Sequence, residues 1–343
     1  MKRPVFIVGC PRSGTTLLYS MLLAAGGFAV YRKETFFYNV VRHFPDLRGA
    51  RSQQRFLKHY LQGYLGKVPG MDVEPFVRRA LAECRNPGDF LPRLMDGITR
   101  TQGVDRWVEA TPAHVCHMQQ ITAAVPDAVF VHVVRDGRDC ALSTDRQQWL
   151  ATLPWDKRRS LGVAALFWEW MVRQGREWGR RHTRDYLEVR FEHLVADPHA
   201  TLNRIGRFID HDLDYDRILQ NPVHSLDQPN TSFREDRERA AFNPVGRWKS
   251  KCSADDIKLC ERLVGPYLQE LGYELAYPDE QLSSRVHAHL MRTLYLSDLT
   301  LKHWLKTHTP LARFLIRTSV WAEQPRADEG AHFPKPRHSV VTH

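Results

Sequence analysis

The stretch Val5-Phe6-Ile7-Val8-Gly9-Cys10-Pro11-Arg12-Ser13-Gly14-Thr15-Thr16, continued by Leu17-Leu18-Tyr19-Ser20-Met21-Leu22-Leu23, constrains the fold more than any other. Its four consecutive apolar residues, Val5 to Val8, read as a strand buried on both faces, and from Thr15 apolar residues recur at helical spacing until Gly26-Gly27 stop them. The spacing therefore predicts strand, glycine-rich loop and helix. Gly9 and Gly14 bracket a loop whose N–H groups converge on the helix N-terminus, where unpaired donors and the positive end of the dipole favour a phosphate or sulfate. Against the nucleotide-binding pattern G-x-x-x-x-G-K-[ST], the glycines and Thr16 match, while Thr15 stands at the lysine position. The cation must come from elsewhere, and Arg12, inside the loop, offers a planar fork suited to such oxygens. Glycine-rich turns of this shape also serve packing alone, so the loop needs company before it defines a function.

Company comes further along the chain. Val129–Val134 is a second buried strand and runs directly into Arg135-Asp136-Gly137-Arg138-Asp139, then a helix holding Ala141, Leu142 and Ser143. Residues 107–109 form a short strand before Ala110-Thr111-Pro112, with Pro112 at the first position of the next helix. Residues 161–181 read as a long amphipathic helix and 186–191 as another strand. Asp197-Pro198 supplies an N-cap and first position, and Ser253 with Asp256 caps a helix that ends near Gly272. Strands alternating with helices predict an α/β architecture, a P-loop-like three-layer fold with a central parallel sheet flanked by helices. Ligands on such sheets bind beyond the C-terminal strand ends, where both the glycine-rich loop and Arg135 fall.

With 343 residues and 43% hydrophobic content the chain can bury a large core, and one large domain is the simpler reading. The formal net charge of +10 points to an anionic partner, whether nucleotide, acidic glycan, membrane surface or nucleic acid. No basic run is interleaved with aromatics and no helix-turn-helix or zinc-finger spacing occurs, so nucleic acid is not expected. Cys10, Cys84, Cys116, Cys140, Cys252 and Cys260 form no C-x-x-C pairs and read as reduced thiols. The first strand begins by Val5, which leaves no room ahead of it for a signal peptide, and no window holds about 18 continuous apolar residues. A cytoplasmic location without a transmembrane segment is the expectation.

Pro11-Arg12-Ser13-Gly14-Thr15-Thr16 resembles the 5′-phosphosulfate loop of the sulfotransferases, which use 3′-phosphoadenosine 5′-phosphosulfate (PAPS) as sulfuryl donor. Residues 131–143 resemble the family's 3′-phosphate motif, in which the Arg and Ser corresponding to Arg135 and Ser143 hold the donor's 3′-phosphate. Taken bare, Arg135-Asp136 is a surface ion pair; two motifs in the family's order speak against that. Residues 188–198 are similar to the family's segment near the adenine, with Phe191 where a tyrosine is common, so the contact area is kept and the hydroxyl lost. Gly246-Arg247-Trp248-Lys249 resembles the late segment that closes over the donor, and implies Arg247 or Lys249 at the 3′-phosphate or the leaving oxygen. The alternative there makes Trp248 core and leaves both cations solvated. The resemblance covers roughly residues 4–277 and implies a PAPS-dependent sulfotransferase of bacterial type, related to the tyrosylprotein and glycan branch, with a hydroxyl-bearing acceptor: glycan, lipid, small molecule or tyrosine.

A transferred sulfuryl group carries less charge than a phosphoryl group, so fixed N–H donors and cations, here Arg12 and Lys249, suffice for its in-line transition state and no metal is expected. A base must take the acceptor's proton. Glu34, 22 residues beyond Arg12, stands where the resemblance places the catalytic glutamate of the tyrosylprotein and glycan branches. A surface charge offset by Arg32 and Lys33 is the alternative. Glu109 and His114 are rivals, since the cytosolic branch uses a histidine after the corresponding strand. Bacterial relatives often carry a lysine before Thr-Pro in that turn; here it is Ala110, which leaves help to the leaving group with Lys249 or Arg12.

The chain is expected to divide into a sulfotransferase domain over 1–280 and a basic, partly disordered C-terminal extension over 281–343 with an amphipathic patch at 299–321. Within the domain, 36–100 reads as a helical insertion on the acceptor side, broken by Pro69-Gly70 and Pro87-Gly88, and 221–245 as a lid loop. A homodimer stays open. Two other classes compete: a lysine-less P-loop kinase, which needs a metal and a nucleoside triphosphate, and a catalytically silent protein that binds a nucleotide or anionic glycan.

Overall fold

A computed structural model describes residues 2–31, 34–41, 44, 47, 49–60, 72, 74–84, 86–147, 150, 160–221, 243–278 and 282–309. Four parallel strands form its sheet: β1 Val5–Gly9, β2 Val108–Glu109, β3 Val129–Val134 and β4 Tyr186–Arg190, in the order β2-β1-β3-β4. The register pairs Val5 with Val108 on one side of β1 and Val5 with Val129 on the other. The order reverses between β1 and β3, the place where open α/β sheets leave a crevice at their C-terminal ends.

Helices fill the connections: α1 Thr15–Ala25, the short α2 Phe37–Val40, α3 Ala50–Tyr60, α4 Glu74–Glu83 and α5 Phe90–Thr101 lie between β1 and β2, and α6 Met118–Ala124 between β2 and β3. α7 Gly137–Gln147 and α8 Ser160–Arg181 follow β3, while α9 Phe191–Ala196, α10 Pro198–Ile209 and α11 Tyr215–Gln220 follow β4. α12 Trp248–Lys251, α13 Ala254–Glu270 and α14 Leu282–His308 complete the set. Two 3-10 turns, Pro87–Asp89 and Pro112–His117, each begin on a proline that needs no N–H partner.

The period of two along the strands builds the three layers. Val5 and Ile7 of β1, with Val129, Val131 and Val133 of β3, face a core shared with α1 and α10, where Leu18, Leu22, Leu202 and Ile205 are buried. Phe6, Val8, Phe130 and Val134 face the opposite way, into a core that includes Leu94 and Ile98 of α5 and Trp168 and Met171 of α8. Stacking of Phe6 on Phe130, with ring centroids 5.5 Å apart, joins the two central strands on this side.

Several sequence expectations are met residue for residue. Gly26 ends α1 at φ 82°. Asp197 accepts the Ala200 N–H at the start of α10, and Ser253 with Asp256 forms a capping box on α13. Two differences have physical reasons. The last strand stops at Arg190, because Phe191 already opens α9. α14 follows the composition break at 280 yet buries Ala288, Tyr295 and Leu299 in the main core, and Glu169 of α8, fully buried, holds Arg292 of α14. Of the segment read as an insertion, α4 and α5 also bury apolar residues in that core. The span 222–242 of the lid loop, and the tail from 310, lie outside the described residues.

Candidate functional site

The loop between β1 and α1 is held in a conformation few residues adopt. Arg12 has φ 71° and Gly14 φ 99°, both left-handed; for Arg12 this costs of the order of 1–3 kcal/mol, which neighbouring contacts must offset. Gly14 is required twice over, since a Cβ there would lie 2.1 Å from the Phe191 ring. Gly9 lets Val133 and Ser13 close in, as a Cβ would lie 2.5 Å from the Val133 carbonyl oxygen. No side chain caps the first turn of α1. The Ser13 hydroxyl is buried without a hydrogen-bond partner among the described residues, a costly state for a protein interior unless something binds.

Three side chains named by the two motifs meet here. Arg12 Nε donates to Ser143 Oγ at 2.9 Å, so the 5′ loop and the 3′ motif form one cluster. Arg135 Nη1 donates to the Arg12 carbonyl at 2.9 Å and Nη2 to the Pro244 carbonyl, while its guanidinium lies over Phe191 at 4.6 Å. Arg135 thus supports the strained residue through its backbone, and its Nε has no partner among the described residues. Phe191, expected beside an adenine, is buried between Gly14 and Arg135 and supports the loop from below.

Asp139, in the first turn of α7 and four residues beyond Arg135, was not singled out by the sequence, although that spacing was a readable signal. Its carboxylate lies 3.5 Å from Arg135 and accepts the N–H groups of Gly246, at 2.8 Å, and Trp248, at 3.0 Å. Burial pushes this carboxyl up, against the pull of Arg135. The pair therefore pins both the carbonyl and the N–H side of residues 244–248. Trp248 is buried beneath the Arg138 guanidinium at 3.7 Å, as the core alternative had it, and Arg138 is locked between Asp136 at 2.8 Å and Glu261 at 2.6 Å. Lys249 is exposed, with its ammonium 5.6 Å from the Trp248 ring centroid.

The three candidate bases part company in the turn beside β2. Glu109 is fully buried, and six donors converge on it. Oε1 accepts from Thr35 Oγ1 at 2.8 Å, the Thr35 N–H at 3.3 Å, Tyr31 Oη at 3.4 Å and the Thr111 hydroxyl. Oε2 accepts from the Thr111 N–H at 3.1 Å and His114 Nδ1 at 2.8 Å. This exceeds the roughly four lone-pair sites of a carboxylate. Burial pushes the Glu109 carboxyl up, but the His114 ring and the Thr111 hydroxyl and N–H outweigh it and bring it to about 2. His114 is equally enclosed, with the Tyr38 N–H donating to Nε2 at 3.3 Å, which leaves Nδ1 to carry the proton toward Glu109. Glu34 differs from both. Its side chain is only partly buried, and desolvation together with the charge of Glu109 lifts its carboxyl to about 8, against the pull of Arg12.

The sequence pattern of the Sulfotransferase family matches residues 4–217. The chain belongs to this family. It is 25% identical over 283 residues to protein-tyrosine sulfotransferase A of Caenorhabditis elegans, covering 79% of this chain and 67% of that one. It is 23% identical over 270 residues to an uncharacterized protein of Aquifex aeolicus (strain VF5), covering 72% of this chain but only 30% of that longer protein. Among solved structures, the sulfotransferase domain from the curacin biosynthetic pathway superposes with a TM-score of 0.51 at 16% identity, over 80% of this chain and 99% of that domain, a likeness of fold. No helix among the described residues is long and apolar enough to cross a membrane.

Proposed function

We propose that this protein transfers a sulfuryl group from PAPS to a hydroxyl acceptor, with Glu34 as general base. The observation that carries the reading is the cluster of Arg12, Ser143 and Arg135 at the crevice between β1 and β3, with a partly exposed carboxyl close enough for the Arg12 charge to act on it. Two features fit an anionic donor: among the described residues the buried Ser13 hydroxyl and Arg135 Nε both lack partners, and no side chain caps the first turn of α1. PAPS, when bound, supplies the sulfuryl group and a nucleotide leaving group. The N–H groups of Gly14 to Thr16, with the Ser13 hydroxyl and the Arg12 fork, receive the 5′-phosphosulfate. Arg135 and Ser143 receive the 3′-phosphate, and Arg247 and Lys249 close the site from the segment that Asp139 pins. Phe191, beneath the loop, lends the adenine side its apolar floor. Glu34 takes the acceptor's proton at its carboxylate, and its elevated pKa suits that task, since a base works best when its pKa lies near the working pH.

The tyrosine sulfotransferase relative makes a tyrosyl hydroxyl the first acceptor to try, before glycans, lipids and small molecules. The decisive experiment is a thermal-shift series followed by a radiolabelled PAPS transfer screen. We expect 3′,5′-ADP to raise the melting temperature without metal and labelled sulfate to reach a hydroxyl acceptor. Stabilisation by ATP with magnesium but not by 3′,5′-ADP would return the kinase reading. Tight 3′,5′-ADP binding with no transfer to any acceptor would favour a silent binding protein.

A further inference from the structure

The mechanism above leaves unused a fully buried carboxylate at the end of β2. Glu109 has no exposure to solvent, so it touches neither donor nor acceptor. Its partners are nonetheless selective. Two of its six donors are the N–H and Oγ1 of Thr35, the residue that follows Glu34, at 3.3 and 2.8 Å. Two more come from Thr111, whose hydroxyl in turn accepts the N–H groups of Thr35, at 2.9 Å, and Phe36, at 3.1 Å. Phe36 stands at φ 48°, a left-handed conformation that a bulky residue keeps only where its surroundings fix it. His114, from the turn after β2, and Tyr31 Oη complete the six, and His114 also accepts the Tyr38 N–H, so the hub grips the segment on both sides of Phe36.

We infer that Glu109 is a positioning residue: it fixes the backbone that presents Glu34, and its negative charge sets the field in which Glu34 works. The inference rests on the reading of Glu34 as the base. The groups acting on Glu34 are Glu109, from β2, which raises its proton affinity, and Arg12, from the loop, which lowers it. His114, Thr111, Thr35 and Tyr31 face Glu109, whereas Arg32 and Lys33, next to Glu34 in sequence, lie outside the described residues. Glu109 stays ionised through the neutral range, so its effect on Glu34 is constant there.

The test follows the Glu34 carboxyl directly, by ¹³C NMR titration of the unliganded protein, with Glu34→Gln to assign the resonance. In Glu109→Gln the Glu34 titration should move down by about one pH unit or more, as expected when a nearby like charge is removed. The rising limb of kcat against pH should move with it. Thr35→Val keeps the Glu109 charge but removes one tether; it should lower kcat about tenfold with donor KM unchanged and the Glu34 titration in place, and Thr35→Ser should restore kcat. An unmoved Glu34 titration in Glu109→Gln, or full activity in Thr35→Val, would overturn the inference. Full activity in Glu34→Gln would overturn the base assignment instead, while the coupling seen by NMR would stand.

Discussion

β1 and β2 are neighbours in the sheet, and the turns that leave their C-terminal ends are opposites. After β1 the chain holds a buried hydroxyl without a partner, an uncapped helix start and an arginine in a left-handed conformation. After β2 every polar atom of Glu109 and both nitrogens of His114 are paired. Unpaired buried donors are expensive and persist where a ligand repays them, whereas a saturated network is scaffolding. On the proposed function, the comparison separates residues that would meet the substrate from residues that hold those residues still, a distinction that residue type alone does not make.

The sharpest way to break this comparison is to move the base. Glu34→Gln keeps the shape and removes the proton acceptor, so transfer should fall roughly 10²–10⁴-fold with 3′,5′-ADP affinity near wild type, read from single-turnover transfer and calorimetry. If Glu34→Gln were active and His114→Ala silent, the turn after β2 would be the reactive side. Next in size is Arg135→Ala. It removes the partner of the Arg12 and Pro244 carbonyls and leaves Asp139 buried without its cation, a loss of about 3–5 kcal/mol for a broken buried pair. Denaturant melts should show it, and a stability equal to wild type would mean that Arg135 is held in place only by a ligand.

How far the sequence reached follows the same division. The loop, the order of strands and helices, and the capping residues Gly26, Asp197 and Ser253 were all legible, because each depends on a few adjacent residues and a fixed spacing. The convergence of Arg12 and Ser143, 131 positions apart, was implied by the family resemblance, but their direct hydrogen bond was not. Glu109 was readable as a carboxylate near a strand end and so looked like a rival base. What encloses it is Thr35 and Tyr31, brought from 74 and 78 residues away, and no local pattern announces that. The tryptophan of Gly246-Arg247-Trp248-Lys249 likewise proved to be an anchor under Arg138, a contact that spans two motifs.

Two smaller substitutions sharpen the β1 side. Arg12→Ala removes the charge-assisted contacts of the loop, each worth about 1.5–3 kcal/mol, and should weaken donor binding and transfer together. Ser143→Ala should cost about tenfold in 3′,5′-ADP affinity and little in 5′-AMP affinity, the net worth of one hydrogen bond at the 3′ position. Equal losses for the two nucleotides would remove Ser143 from that position and make its bond to Arg12 its whole role.

The smallest effect is one of stability, and its sign follows from the proton. The Glu34 carboxyl binds its proton more tightly in the folded chain, at about 8, than at the ordinary value of 4.5. Ionising it therefore works against the fold: its contribution is full below 4.5, declines above that value and is lost as pH rises through about 8. Glu109 is displaced the other way, to about 2, and stays ionised throughout, so it contributes no slope between pH 6 and 9. His132, brought to about 3 by burial and the charge of Arg176, stays neutral in the fold, so stability rises slightly between pH 6 and about 7.5 as the unfolded chain gives up its histidine proton. Every group other than Glu34 is shared by wild type and Glu34→Gln and cancels in the difference. Water reaches part of the Glu34 side chain, so the effect should be about 1 kcal/mol or less, roughly 1–2 °C in melting temperature for a chain of this size. Calorimetry from pH 6 to 9 should show wild type losing stability relative to Glu34→Gln, with the curves diverging toward pH 8. Parallel curves would mean that Glu34 ionises like any surface carboxylate, and the contrast between the two strand ends would then lose its electrostatic half and keep only its geometry.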